Sequence, residues 1–164
     1  MDVIWDELLS GLPDSRRMIQ VLIRLLAATV LGAVIGFQRE RAGKPAGLRT
    51  HMLVTLGTAV FVLACSGVGM GQDALSRVIQ GIVTGIGFIG AGSILKLDRE
   101  RDIQGLTTAA GVWMTAAIGV AVGLGSLGVA LLSTVFALAI LSFAQRFEPR
   151  DDRERPARVE GADD

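Results

Sequence analysis

Three long stretches of this chain contain no Asp, Glu, Lys or Arg. They run from Thr50 to Gln72, from Val78 to Leu95 and from Ile103 to Gln145. A surface helix in water carries a polar face opposite its apolar stripe. These stretches have no such face, so lipid is their natural solvent. Each approaches or exceeds the ~20 residues needed to cross the hydrocarbon core. Composition alone is less decisive, because 51% hydrophobic and 20% charged residues would also suit a soluble protein. The placement of the charges makes this an all-α membrane protein.

Five transmembrane helices are expected, at about residues 18–37, 48–64, 77–95, 106–122 and 127–143. The uncharged run ending at Gln145 is too long for one helix. The cluster Gly123-Leu124-Gly125-Ser126-Leu127-Gly128 breaks it into two spans joined by a tight turn. Residues 18–146 then form the transmembrane domain. Residues 1–17 form an extracytoplasmic segment in which Trp5 anchors an interfacial helix. Residues 147–164, charged and carrying Pro149 and Pro156, are expected to be a disordered cytoplasmic tail. The acidic start, with Asp2 and Asp6, does not read as a cleavable signal peptide.

Orientation follows from the Lys and Arg residues. Twelve of them fall in the 38–49 loop, the 96–105 loop and the tail; four, namely Arg16, Arg17, Arg24 and Arg77, fall on the other side. This bias puts the N-terminus outside and the C-terminus in the cytoplasm. Formal net charge is zero, so no basic excess points to a nucleic-acid partner. Cys65 is the lone cysteine and packs as a small apolar residue, with no disulfide to form.

The two cytoplasmic loops repeat each other. Arg39-Glu40-Arg41 precedes Gly47-Leu48-Arg49-Thr50, and Arg99-Glu100-Arg101 precedes Gly105-Leu106-Thr107-Thr108. Each pair follows a glycine-rich span. The simplest reading is a parallel repeat of two hairpins plus a fifth helix, its axis along the membrane normal. Glycines four apart, at Gly32/Gly36, Gly81/Gly85 and Gly119/Gly123, let helix backbones approach closely. Span three is densest, with Gly85, Gly87, Gly90 and Gly92, and is expected to be the central helix. Two readings of its end stay open: tight packing, or an unwound Gly87–Ser93 stretch lining a path with carbonyls.

Few residues could carry chemistry. Arg24 lies inside span one, and either snorkels to the outer headgroups or pairs with a polar group on another span. His51 is the only histidine, and without neighbouring thiols or carboxylates it makes a poor metal site. Packing or capping suits it better, with a hydrogen bond to Glu40 as the alternative. Thr50, Thr107 and Thr108 are expected to cap or back-bond helix starts. Glu40 and Glu100 each sit between arginines, where they tie the two loops together or remain solvated. The arginines of the loops could also meet lipid headgroups. No carboxylate lies deep in any span, and no Walker A, HExxH or nucleophile motif is present, so the sequence does not read as an enzyme.

The ordered set Arg24, Gly32-Ala33-Val34-Ile35-Gly36-Phe37-Gln38-Arg39-Glu40-Arg41, Gly47-Leu48-Arg49-Thr50-His51, Gly85-Ile86-Gly87-Phe88-Ile89-Gly90-Ala91-Gly92, Gly105-Leu106-Thr107-Thr108-Ala109-Ala110 and Trp113…Ala116-Ala117-Ile118-Gly119 resembles the MgtC/SapB family of bacterial inner-membrane proteins. The resemblance spans about residues 18–145 and implies five spans with a cytoplasmic C-terminus. It implies magnesium homeostasis and adaptation to low magnesium, in some members linked to virulence, with Mg²⁺ as a transported or sensed ion and no resident cofactor. Two modes follow: a magnesium-transporter component, or a non-transporting regulator packed against another integral membrane protein such as an ATP synthase or a transport ATPase. A homo-oligomer is also compatible. Long members carry an ACT-like C-terminal cytoplasmic domain, and this sequence resembles the short form.

Overall fold

The computed structural model describes residues 14–67, 69, 71–96 and 103–147. Five helices account for nearly all of it: α1 (Ser15–Arg41), α2 (Leu48–Gly67), α3 (Gln72–Ala91), α4 (Leu106–Gly123) and α5 (Leu127–Phe147). A two-residue strand pair, β1 (Leu95–Lys96) with β2 (Ile103–Gln104), joins α3 to α4. The first four helices are each long and apolar enough to cross a membrane, and α5 has a shorter apolar portion, Leu127–Phe143. The chain is an all-α membrane bundle. The expected interfacial helix near Trp5, the tail beyond residue 147 and the Arg99-Glu100-Arg101 motif lie outside the described residues.

The lipid-facing surface is as apolar as the core. Phe88, Leu53, Ile140, Phe143, Phe61 and Val135 are all more than 60% exposed. In water this would be a severe penalty, while in hydrocarbon it costs nothing. Helix association here cannot rest on apolar burial, so close backbone packing must supply it.

That packing is built from glycine. A Cβ on Gly32 would collide with Thr55 Oγ1 and sit 2.6 Å from the His51 carbonyl oxygen, and one on Gly36 would sit 2.6 Å from Leu48 Cα. On α4, a Cβ on Gly119 would collide with Thr58 Oγ1 and the Thr55 carbonyl, and one on Gly123 would meet Val62 Cβ at 2.7 Å. The paired numbers give the topology. Gly32 meets residues 51–55 and Gly36 meets residues 47–48, so α1 and α2 are antiparallel. Gly119 meets residues 55–58 and Gly123 meets residues 59–62, so α2 and α4 are parallel. This is the arrangement a repeat of two like-oriented hairpins requires.

The centre is α4, not α3. Nine of the residues of α4 are buried, from Thr108 to Gly123, whereas α3 buries only Ile86 and Gly90. A Cβ on Gly81, Gly85 or Gly87 would meet nothing within 4 Å. The expectation of a central third span is therefore corrected. Glycine density marks close packing only where a neighbour arrives, and α3 is the peripheral helix. Nor is its end unwound: the helix is regular through Ala91, and Ser93 N and Oγ both donate to the Gly90 carbonyl. Between α2 and α3 the surface opens into an apolar groove of about 570 Å³, walled by Gly57, Phe61, Gly81, Ile82 and Gly85.

The two connections at the β1–β2 end are closely fitted, one within the second hairpin and one against it. Gly105 precedes α4 with φ +95°, and a side chain there would run into the Ser93 carbonyl. Only glycine combines that left-handed backbone with so close an approach. In the α1–α2 connection, Ala46 has φ +58° and packs against the Ile86–Val112–Ala116 cluster of α3 and α4.

Candidate functional site

Buried polar side chains gather where α1 ends and α2 and α4 begin. Arg39, in the last turn of α1, is only 2% exposed, and its Nη2 donates to Thr108 Oγ1 at 2.8 Å. Thr108 lies in the first turn of α4, so this bond joins the first hairpin to the second. It gives Thr108 a different role from the expected capping of its own helix. Gly105 stands at the N-cap position instead, without a side-chain cap.

His51 is fully buried beside this pair, and its Nδ1 lies 3.0 Å from the Gly47 carbonyl oxygen. A carbonyl only accepts, so Nδ1 carries the proton. Nε2 has no hydrogen-bond partner among the described residues and faces α4 at Gly111, whose Cβ position lies 3.9 Å away. Glu40 does not meet His51. Its Oε2 accepts from the Leu48 backbone N at 3.0 Å. A carboxylate at the first turn of α2 satisfies an orphan N–H and complements the helix dipole. Glu40 thus closes its own loop.

A ladder of hydroxyls runs inward from His51. Thr55 Oγ1 donates to the His51 carbonyl, Thr58 Oγ1 to those of Val54 (2.9 Å) and Thr55 (3.1 Å), and Thr115 Oγ1 to that of Gly111 (2.8 Å). All three threonines are buried, Thr55 with its hydroxyl against Gly32 of α1 and Thr58 with its hydroxyl against Gly119 of α4. Each hydroxyl hydrogen is committed to its own helix, so the ladder fills the interface rather than lining a wet passage.

At the opposite end Arg24 takes the second of its two expected forms. Its Nη1 donates to the Gly123 carbonyl at 3.0 Å, and the guanidinium lies against Gly125 in the α4–α5 turn. A cation at the C-terminus of α4 answers one of its unpaired carbonyls and the negative end of its dipole.

Other candidates are spread out. Arg41 is exposed and lies 4.5 Å from the centre of the Phe37 ring. Arg49 and Thr107 are exposed, and Thr50 is half-buried. Gly85, Gly87 and Gly92 are exposed, while Gly90 is buried against Ala109. Among the described residues no three His, Cys, Asp or Glu side chains come together. The buried cluster offers a guanidinium and an imidazole, which do not match the oxygen donors a resident Mg²⁺ needs.

Sequence reasoning missed Gln38. Both its amide atoms are shielded from water with no hydrogen-bond partner among the described residues. It also missed the threonine ladder, although Thr55 and Thr58 stand at helical spacing and were there to be read.

The sequence profile of the MgtC family matches residues 25–150, a stretch that contains the whole Arg39–His51–Thr108 cluster. The chain belongs to the MgtC family. It is 43% identical over 136 residues to Protein SrpB of Synechococcus elongatus, covering 76% of this chain and 75% of that one. It is 42% identical over 132 residues to "Putative magnesium transporter YhiD" of Escherichia coli K12, covering 74% of this chain and 59% of that one. It is 44% identical over 121 residues to Protein MgtC of Salmonella typhimurium LT2, covering 74% of this chain and 51% of that one. The chain thus spans little more than half the length of the latter two relatives. No solved structure matches it. Family membership and four apolar helices of spanning length make it a multi-pass membrane protein.

Proposed function

We propose that this chain is a magnesium-linked protein of the bacterial inner membrane that acts on another integral membrane protein and carries no ion itself. The link to magnesium rests on the family and on the name of the relative YhiD. The regulator reading rests on the closed centre of the bundle. Gly32, Gly36, Gly119 and Gly123 bring α1, α2 and α4 into backbone contact where a conduction path would have to run. A hydrated Mg²⁺ dehydrates reluctantly and would need several oxygen donors along such a path. The N-terminus lies outside and the C-terminus in the cytoplasm, which puts the Arg39 cluster on the cytoplasmic side. An ATP synthase or a transport ATPase is the kind of partner that the family resemblance implies.

One observation favours magnesium transport instead, namely the name of YhiD. Reconstitution separates the two readings. Purified protein in liposomes loaded with a Mg²⁺-sensitive dye should give no flux above empty vesicles; flux that scales with protein content overturns the regulator reading. A deletion strain should grow poorly in low magnesium while its cellular Mg²⁺ stays normal.

A further inference from the structure

A second polar site lies outside the buried cluster. A cavity of about 310 Å³ opens at the end of α1, lined by Phe37, Gln38, Arg41, Ala42 and Ser142. It lies between the last turns of α1 and the far half of α5.

Its chemistry is that of an anion site. Arg41 stands exposed at the rim, steadied by the Phe37 ring at 4.5 Å, an arrangement that leaves the edge of the guanidinium fork open to a further acceptor. The Gln38 amide is shut off from water and has no partner among the described residues, which is an unfavourable state for a buried donor. Ser142 presents a hydroxyl from the α5 side and is exposed. A phosphate oxygen can accept from all three.

The helix end opposes an anion less than a bare C-terminus would. A C-terminus normally presents bare carbonyls that repel anions. Here Ala42 N donates to the Gln38 carbonyl, Gly43 N to that of Glu40 and Lys44 N to that of Arg39. The surface beside the cavity is apolar and open to lipid, with Val34 and Phe37 on α1 and Ile140 and Phe143 on α5 all exposed. Such a surface can lie along an acyl chain while the cavity takes the headgroup.

We propose that this cavity binds an anionic phosphate group, with Arg41 as its charge partner and the Gln38 amide and Ser142 hydroxyl as orienting donors. An acidic phospholipid and free phosphate share this chemistry, and the apolar flank favours the lipid.

Native mass spectrometry and thermal unfolding of the full chain in detergent test it, with phosphatidylglycerol, phosphatidylcholine and inorganic phosphate as probes. Phosphatidylglycerol should stay bound and raise the unfolding midpoint, and phosphatidylcholine should do so far less. Arg41→Ala, Gln38→Leu and Ser142→Ala should each weaken binding, Arg41→Ala by about five- to tenfold. Arg49→Ala removes an exposed charge at the same end, away from the cavity, and should bind as wild type. Gln38→Leu removes an unpaired amide, so its lipid-free midpoint should not fall; loss of the lipid response is then loss of the site. An Arg41-dependent shift with inorganic phosphate alone supports the site with a soluble ligand. Equal binding by wild type and Arg41→Ala, equal loss in Arg49→Ala, or equal binding of the two lipids overturns it.

Discussion

Arg24 and Arg39 show two ways of holding a guanidinium in a lipid-embedded bundle. Arg24 uses a helix-end carbonyl, that of Gly123, and Arg39 uses the Thr108 hydroxyl 69 positions along the chain. Each bond ties α1 to α4, one at each end of the bundle. Arg24→Leu should cost about 1.5–3 kcal/mol, the value of a hydrogen bond to a charged group. Thr108→Val keeps the shape but removes the acceptor of a buried cation, and should cost about 1–3 kcal/mol. Denaturation in mixed micelles would measure both, and a cost near zero for either would remove that bond from the account of the fold. Both arginines were visible in the sequence as charges in or beside an apolar run, but their partners were not. A backbone carbonyl at residue 123 carries no residue-type signal, and a threonine in a Gly-Leu-Thr-Thr start reads first as a cap. Gln38 was hidden for a similar reason, since one amide beside an Arg-Glu-Arg motif draws no attention until its burial is known.

Among the elements, glycine position separates the core helices from the peripheral one. On α4 the Gly119 Cβ site is occupied by α2, so Gly119→Ala should destabilise by about 1–3 kcal/mol through overpacking. On α3 the Gly81 and Gly85 sites are open, so alanine at either should leave stability unchanged or improve it slightly, because glycine weakens a helix interior. Parallel unfolding curves of the two sets test this contrast, and equal losses would put α3 back in the core. Hydrogen exchange should follow the same division, with the amides of α3 exchanging before those of α2 and α4. The inward aim of Gly32 and Gly119 also makes them internal contacts, not part of a surface offered to a partner. The number and order of helices could be read from the sequence, because charge-free runs and the Gly123–Gly128 break are direct signatures of lipid and turn. The ranking of the helices could not. Spacing of four puts two glycines on one face, but only packing decides whether another helix lies against that face.

For the whole molecule, the two hairpins are related more closely in layout than in contact. The α1–α2 pairing is close at Gly32 and Gly36, while the corresponding α3–α4 pairing is looser, with the Gly90 Cβ position 3.5 Å or more from Ala109. The fifth helix breaks the symmetry by packing on α1 and α4, its Ala130, Ala137 and Leu141 sharing a buried cluster with Ala28, Ile35, Ile118 and Val122. The orientation proposed above predicts that a reporter fused after residue 147 is active in the cytoplasm. A cysteine introduced at Ser126, in the α4–α5 turn, should be labelled by a membrane-impermeant reagent from outside. The reverse pattern would invert the bundle and move the Arg39 cluster to the outer face.

The threonine ladder bears on how the protein is made. Its donors lie on α2 and α4, and the whole of α3 separates the two helices in sequence, so α2 must leave the ribosome and enter the bilayer before α4 exists. During that interval Thr58, whose hydroxyl packs against Gly119 of α4, faces lipid or the insertion machinery, while Thr55 already has Gly32 of α1 against it. Because each hydroxyl already donates to a carbonyl on its own helix, α2 can wait without an unpaired donor. Assembly then needs only the arrival of a glycine-faced surface on α4. The order of synthesis and the order of packing are thereby reconciled within a single helix.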